Sequence, residues 1–302
     1  MGSSPGGVRL DRAVADLAGV SVARARETIE AGGVRVNGRR GRKGDRVPAG
    51  ATLEATLSEA PGAPLPQPEL PLEVVHEDAH LLALNKPAGV PTHPLKAGER
   101  GTLANALAAR FPECATASPD PREGGLCQRL DRDTSGLVLA ARDRATWDGV
   151  RRLLAGGEAE KVYLALVRGE APEEGQSSAS LAQRGGGAPR VSEGRGARVK
   201  SVRAARTTFR TLSRGGGCSL LEVRIETGVR HQIRAHLAAL GYPLAGDATY
   251  HGGPPPGGLG RMLLHAWKLG LVHPATGRRL ALEASVPPDA AATLASLALT
   301  IA

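Results

Sequence analysis

Near its N-terminus the chain carries hydrophobic residues at helical spacing. Leu10, Val14 and Leu17 lie three or four positions apart, which predicts an amphipathic helix. Ser21 has the side chain of a helix N-cap, so a second helix is predicted over residues 22–31. The sequence therefore predicts two short helices at the start of a small module.

The spacing then changes to the alternation of a β-strand. Val34 and Val36 alternate with arginine, and Asn37-Gly38 is a dipeptide typical of tight hairpin turns. A second turn is indicated at Gly44-Asp45. Residues 8–58 are therefore predicted to form a small α/β domain whose hairpin-like edge carries basic side chains.

A proline-rich segment separates this domain from the rest of the chain. Residues 59–71 contain five prolines and few side chains that could pack, which is the composition of a semi-rigid linker. We expect a second domain over residues 72–302, since a chain of 302 residues is long enough for both.

Apolar runs and helical spacing predict the elements of this second domain. Strands are expected at 81–85, 137–141, 162–167, 220–225 and 262–272. Helices are expected at 102–110, 143–155, 231–240 and 288–298. Because few strands and helices alternate regularly, the pattern favours an α+β domain on a mixed, mostly antiparallel β-sheet.

The formal net charge of +9 is concentrated in two short segments. Residues 20–47 carry a net charge of +5, and residues 184–214 carry a net charge of +8. Local positive charge suits a polyanion, and for residues 20–47 we expect contact with RNA. Residues 184–214 are rich in glycine, so a solvated loop and an RNA contact are both compatible with this segment.

The remaining composition argues against several classes of protein. Three cysteines without C-x-x-C spacing favour neither disulfides nor a zinc knuckle, and a reduced cytoplasmic compartment fits them best. No apolar run approaches the ~18 residues of a membrane span. The histidines and glycines form no metal or nucleotide motif, so we expect neither a metal ion nor another cofactor.

The densest polar motif is QRLDRDTSGLVLAARD, at residues 128–143. A strand-like run ends at Leu130, Asp131 follows, and Thr134-Ser135-Gly136 turns the chain into the next buried strand. An isolated aspartate before a turn is usually a turn former or half of a surface ion pair. The neighbouring motifs decide between these interpretations and a chemical role.

Together with its neighbours, this segment resembles the R-L-D-x-x-T-S-G motif of RluA-type RNA pseudouridine synthases. Four further segments resemble motifs of that family in the same order. They are LALNKPAGVPTHP (82–94), EKVYLALVRG (160–169), TGVRHQIRAHLAALGYPLAGDATYHG (227–252) and LLHAWKLGLVHPATG (263–277). Residues 8–58 resemble the S-four (S4) RNA-binding module. The resemblance implies the pseudouridine synthase fold and an isomerase that needs no cofactor.

The resemblance also implies roles for individual residues. Converting uridine to pseudouridine replaces an N-glycosidic bond by a C-glycosidic one, which requires a carboxylate at the junction of sugar and base. Asp131 would be this catalytic residue, acting on the sugar or ring or by removing a sugar proton. Tyr163 would stack on the flipped uracil, and Arg129 would enter the space that the base leaves. Without the resemblance, Tyr163 could be an ordinary strand tyrosine and Arg129 half of an ion pair.

Two positions depart from the family pattern. The family pairs its aspartate with an arginine in T-G-R-x-H-Q-I-R, because a desolvated carboxylate needs a cation to stay charged. This chain has Val229 at that position and Arg230 after it, so we expect Arg230 to serve as the partner. We also expect Ile233, in the same motif, to bind the substrate. Gln128 stands where the family commonly has histidine before R-L-D.

Other functions remain compatible with these residues. A catalytically silent RNA-binding protein would explain both departures, and an N-glycosidase that releases uracil would share the carboxylate chemistry. We expect a monomeric enzyme that acts on large-subunit ribosomal RNA, with transfer RNA as the alternative substrate.

Overall fold

The protein forms two compact units, Met1–Gly62 and Ala63–Ala302. A computed structural model describes residues 7–20, 22–56, 62–96, 98–182, 187–191 and 202–301, with the backbone alone for Ala23, Arg24 and Glu27. The boundary between the units falls within the segment predicted as a linker. The domain bounds 8–58 and 72–302 stay a prediction.

The described residues of the N-terminal unit form two helices and five short strands. They are α1 (Leu10–Ala18), α2 (Val22–Glu30), β1 (Val8–Arg9), β2 (Val34–Val36), β3 (Arg39–Arg40), β4 (Arg46–Val47) and β5 (Leu53–Ala55). Leu10 and Val14 of α1 pack with Ile29 of α2 and Val34 of β2 in one buried core. Leu17 is 60% exposed and is not part of this core. The cap predicted at Ser21 lies outside the described residues.

The predicted hairpin of this unit is confirmed. Strand β2 pairs antiparallel with β3, and the Asn37-Gly38 turn joins them. Both turn residues have left-handed φ values, 48° and 75°, which is the geometry of a type I′ turn. Arg35, Arg39 and Arg40 of this hairpin are exposed, so it presents basic side chains to solvent.

The C-terminal unit is built on one large sheet. Its strands are β6 (Glu73–Glu77), β7 (Leu81–Lys86), β8 (Ser135–Ala141), β9 (Glu160–Arg168), β10 (Glu174–Ser177), β11 (Leu181–Ala182), β12 (Arg190–Val191), β13 (Val202–Arg203), β14 (Thr207–Gly215), β15 (Cys218–Ile225), β16 (Leu264–Val272) and β17 (Arg279–Glu283). Its helices are α3 (Leu103–Arg110), α4 (Arg144–Gly156), α5 (Gln232–Ala239) and α6 (Pro288–Ser296), with 3₁₀ turns at Pro112–Thr116, Pro121–Glu123 and Ala248–Tyr250.

Among the described residues, nine strands form this sheet in the order β10-β14-β15-β9-β16-β8-β7-β6, and β17 pairs with β16. The β8–β16 pair is parallel, and the other pairs of the sheet are antiparallel. This confirms an α+β fold with a mixed, mostly antiparallel sheet. Strands β11, β12 and β13 form a separate small sheet.

Both faces of the central strands are covered, which explains their continuous apolar runs. Leu81 and Ala83 of β7 pack with Trp147 of α4 on one face. Leu82 and Leu84 of the same strand belong to the core that contains α3 on the other face. Each predicted strand and helix of this unit overlaps an observed element.

The end of the proline-rich segment packs on α3, although its composition suggested little that could pack. Gln67 is buried, and its side chain accepts a hydrogen bond of 2.6 Å from the Gly101 amide. The Asn105 side chain donates to the Leu65 carbonyl at 2.8 Å. Hydrogen bonds of backbone and amide groups therefore help to fix this segment.

Part of the basic segment 184–214 also forms regular structure. Strand β14 runs through its end, so the interpretation as a loop is wrong for residues 207–214. The arginines at 206, 210 and 214 form ion pairs of 3.4 Å with Glu226, Glu222 and Glu173 respectively. Arg184, Arg195, Arg198 and Lys200 lie outside the described residues.

Candidate active site

Asp131 lies in the loop that precedes β8. The predicted strand before it is not observed as a regular element: residues 127–130 lie outside the named strands. The Cys127 amide donates to Leu139 of β8, and the Leu130 amide donates to the Thr92 hydroxyl at 3.1 Å. The Thr134 amide closes a turn onto the Asp131 carbonyl at 3.1 Å. Hydrogen bonds to two neighbouring segments therefore fix the approach to Asp131.

The Ser135-Gly136 pair is explained by the parallel pairing of β8 with β16. Gly136 has φ 110°, and a Cβ there would lie 2.2 Å from the Ala266 carbonyl oxygen, so only glycine fits. Ser135 lies opposite His265, and their side chains hydrogen-bond at 2.9 Å. Burial lowers the pKa of His265 to about 4, so the imidazole is neutral. Its Nε2 donates to the Ala284 carbonyl at 3.4 Å, which leaves Nδ1 to accept from the serine hydroxyl. The T-S-G and L-H-A motifs therefore meet beside Asp131.

Arg234 is the cation that pairs with Asp131. Its Nη1 donates to Asp131 Oδ2 at 2.9 Å, while Nε and Nη2 donate to the two oxygens of Asp247 at 2.7 and 2.9 Å. The side chains of Asp131, Arg234 and Asp247 are 23%, 9% and 1% exposed. Burial opposes the charge on Arg234, but the hydrogen bonds to Asp247 and Asp131 raise its pKa above the usual value.

The prediction that Arg230 pairs with Asp131 is wrong. Arg230 is exposed in the turn before α5, and no described acidic residue forms an ion pair with it. Arg230 was expected because it directly follows the position of the expected arginine, but the observed partner, Arg234, lies further along on α5. Val229 packs beside Ala235 in a small apolar cluster instead.

Tyr163 lies on β9, where it is half-buried and packs against the cores on both sides. Burial and the charge of Asp131 raise its pKa to about 12. Tyr163 lies opposite Ala266 of β16, which pairs with Gly136 at the end of the Asp131 loop. Ile233 is 4% exposed and packs in the core that Tyr163 contacts. The structure thus brings Asp131, Tyr163 and Ile233 to one region.

Arg129 and Gln128 flank the site on the chain. Arg129 is exposed and, in the described part of the chain, pairs with no acidic residue. Its charge adds to burial in lowering the pKa of His93 to about 4. Gln128 is half-buried, and its Oε1 has no hydrogen-bond partner among the described residues.

Three neighbours of Asp131 were missed or misplaced by sequence reasoning. His231 precedes α5 rather than lying within it, and its Nε2 is 3.6 Å from Asp131 Oδ2. The Tyr250 ring lies over the Arg234 guanidinium at 5.4 Å. Lys86 is fully buried and donates to the Arg132 carbonyl at 2.9 Å. All three lie inside the family-like motifs, which was the available signal.

The described residues contain no cluster of side chains that could hold a metal ion. Cys114, Cys127 and Cys218 are buried thiols without a disulfide. None of the helices described is long and apolar enough to cross a membrane.

Two family models match this chain. Residues 80–239 match the RNA pseudouridylate synthase model, and residues 8–53 match the S4 domain. An RNA pseudouridine synthase of Chloroflexus aurantiacus is 40% identical, with 93% of this chain and 87% of that protein covered. The ribosomal large subunit pseudouridine synthase D of Nitrosomonas europaea is 35% identical, with coverage of 96% and 85%.

Solved structures are similar in fold. Human RNA pseudouridylate synthase domain containing 1 is 25% identical with a TM-score of 0.57, covering 72% of this chain and 84% of that one. Human RNA pseudouridylate synthase domain containing 4 is 23% identical with a TM-score of 0.60, covering 76% and 94%.

Proposed function

Because this chain belongs to the RNA pseudouridylate synthase family, isomerases that convert uridine to pseudouridine, we propose that Asp131 carries this reaction on large-subunit ribosomal RNA. The observation that supports Asp131 best is its hydrogen bond of 2.9 Å from Arg234, which Asp247 orients. A fixed guanidinium stabilises negative charge on a partly buried carboxylate.

The charged carboxylate acts at the bond between ribose and uracil. Asp131 either attacks the sugar or the ring, or it removes a sugar proton, and each route needs the ionised form. Its neighbour Tyr163 offers a half-buried aromatic ring on which the extruded uracil stacks. Arg129 enters the space that the base leaves, Arg230 contacts the RNA backbone, and Ile233 supports the base from the core.

The choice of RNA follows from the relatives and from the N-terminal unit. Several of the similar proteins are named ribosomal large subunit pseudouridine synthase D. The exposed arginines of the β2–β3 hairpin supply phosphate contacts in the S4 domain. The enzyme works as a monomer in the cytoplasm. Mapping pseudouridine in ribosomal and transfer RNA with and without this gene tests the substrate, and a change confined to transfer RNA contradicts it.

The variant Asp131→Asn tests the catalytic residue. It keeps the shape of the side chain but removes its charge, so pseudouridine formation should be abolished while RNA affinity is unchanged. The measurement is single-turnover conversion, read by a pseudouridine-specific chemical adduct, beside a binding titration. The matched control is Asp133→Asn, an exposed carboxylate two residues away that should retain activity.

Each alternative gives a different result in this assay. Substantial conversion by a folded Asp131→Asn protein removes Asp131 from the chemistry. Release of free uracil by the wild type indicates an N-glycosidase. Tight RNA binding by the wild type without conversion of any RNA indicates a silent RNA-binding protein.

A further inference from the structure

His231 adopts a backbone conformation that its side chain disfavours. It has φ 56° at the residue before α5, in the left-handed region that non-glycine residues seldom occupy. Such strain persists where the surrounding structure fixes it, and it concentrates at functional sites. Here the conformation places the imidazole beside Asp131, with the His231 side chain 11% exposed.

The hydrogen bonds of Tyr250 determine which imidazole nitrogen carries a proton. The Tyr250 hydroxyl donates to the Pro189 carbonyl at 2.7 Å, so its single proton is committed. His231 Nδ1 lies 3.3 Å from the same hydroxyl oxygen, which can then only accept. Nδ1 therefore carries the proton and donates it to Tyr250.

The other nitrogen, Nε2, is left as a free base. Burial lowers the pKa of His231; the charge of Asp131 opposes this shift, and those of Arg234 and Arg230 add to it. The ring is therefore neutral at neutral pH. The 3.6 Å between Nε2 and Asp131 Oδ2 exceeds a hydrogen bond, as expected for two acceptors that face each other. A proton taken up by Nε2 would turn this contact into an ion pair.

We propose that His231 Nε2 is the base that removes the C5 proton of the uracil during isomerisation, an inference that rests on the proposed function and on Asp131. In the reaction the C1′–N1 bond breaks and a C1′–C5 bond forms. The proton then leaves C5 for Nε2, N1 takes a proton from water, and the imidazolium returns its proton to water. The atoms balance without a further reactant.

The position of Nε2 suits this step better than the other candidates do. Since Asp131 acts where sugar meets base, a nitrogen 3.6 Å from its carboxylate lies where C5 replaces N1. The pKa of Tyr163, raised to about 12, keeps its hydroxyl protonated at neutral pH. A protonated hydroxyl is a poor base. Asp131 itself is held by Arg234.

The variant His231→Asn tests the proposal without disturbing the backbone. Asparagine tolerates the left-handed conformation and keeps a donor for Tyr250, but it has no basic nitrogen. We expect kcat to fall by about 100-fold or more, the usual contribution of a general base, with unchanged RNA affinity. With substrate RNA deuterated at uracil C5, the variant should show a larger primary isotope effect than the wild type.

The pH profile provides a second readout. A base must be unprotonated, so kcat of the wild type should fall at acidic pH. In His231→Asn the contribution of the imidazole to this limb should be lost, which leaves only the contribution of the Asp131 carboxylate. The charged and titratable groups that face His231 are Asp131, Arg234, Arg230, Asp247 and Tyr250, and all of them are retained in the variant.

His251→Asn is the matched control, because His251 is also left-handed, at φ 61°, but exposed. It should behave like the wild type in rate and isotope effect. Wild-type kcat in His231→Asn, or a loss of kcat without a larger isotope effect, overturns the proposal while leaving Asp131 in place. If the wild type forms no pseudouridine in any RNA, the proposed function itself fails.

Discussion

Arg234 shares one guanidinium between two carboxylates that differ in exposure. Asp247 is almost fully buried and takes two parallel hydrogen bonds, which fix the plane of the guanidinium. The third donor, Nη1, is thereby directed at Asp131, the more exposed of the two. Asp247 also accepts from the Thr249 amide at 3.0 Å, so it is itself fixed in place.

We therefore predict that Arg234→Lys lowers kcat by about 100-fold, since displacing a catalytic group by 1 Å can have that effect. A lysine ammonium cannot bind Asp247 at two points and Asp131 at a third. Steady-state kinetics on substrate RNA, with thermal melting to verify the fold, provide the measurement. By contrast, Arg230→Ala should raise KM and leave kcat nearly unchanged. A wild-type kcat in Arg234→Lys would contradict this assignment.

At this scale the sequence located the motif but not the residue within it. Resemblance and carboxylate chemistry led to Asp131, and the motif offered two arginines as its partner. Its position directly after the expected arginine selected Arg230, although a shift of one residue on a strand would reverse the side chain. On the first turn of a helix, positions 231 and 234 share a face, which would have selected Arg234 together with His231.

At the scale of elements, Lys86 joins the end of β7 to the loop that carries Asp131. Its buried ammonium donates to the carbonyls of Pro87, Val90 and Arg132 at 2.8, 2.7 and 2.9 Å. Burial lowers its pKa to about 7, and the charges of Asp133 and Asp131 oppose the shift. Because its three acceptors belong to two segments, the Lys86 side chain connects the end of β7 to the loop of Asp131.

Replacing Lys86 should make the catalytic loop more mobile. Lys86→Met leaves buried carbonyls without donors, so we expect a loss of about 1–3 kcal/mol in the free energy of unfolding. Hydrogen exchange of the amides of residues 131–134 should become faster, and kcat should fall. Lys268→Met, at a half-exposed lysine on β16, is the control and should change neither the exchange of these amides nor kcat. Unchanged hydrogen exchange in Lys86→Met would contradict this role of Lys86.

Strands buried on both faces were predictable from their apolar runs, whereas β14, which has one polar face, was missed. Strands β7 and β8 are continuous apolar runs, so their sequence alone located them. Strand β14 buries Thr207, Phe209 and Thr211 on one face but carries polar and basic residues on the other. Its position inside a glycine-rich basic segment concealed this alternation.

At the scale of the whole molecule, each unit has a core of its own, and the basic hairpin belongs to the smaller one. We predict that deleting residues 1–60 weakens RNA binding and leaves the C-terminal unit folded. The slope of log affinity against log salt should decrease by roughly one for each RNA phosphate that the truncated protein no longer neutralises. Binding titrations over a range of salt concentrations measure it.

Circular dichroism and melting of the truncated protein should verify its fold. Arg35, Arg39 and Arg40 replaced together by alanine should reproduce most of the change in slope, since these side chains are exposed. An unchanged slope in the truncated protein would remove the N-terminal unit from RNA binding.

The position of β16 between β8 and β9 has a consequence for synthesis of the protein. His265 of this strand lies 130 residues after Ser135, yet the strand pairs with Ser135 and Gly136, the residues that complete the T-S-G turn after Asp131. During synthesis, Asp131 is therefore translated long before β16, the strand whose pairing fixes the loop of Asp131. We expect the enzyme to remain inactive until residue 272 has left the exit tunnel, so that catalysis begins only after translation of this strand is complete.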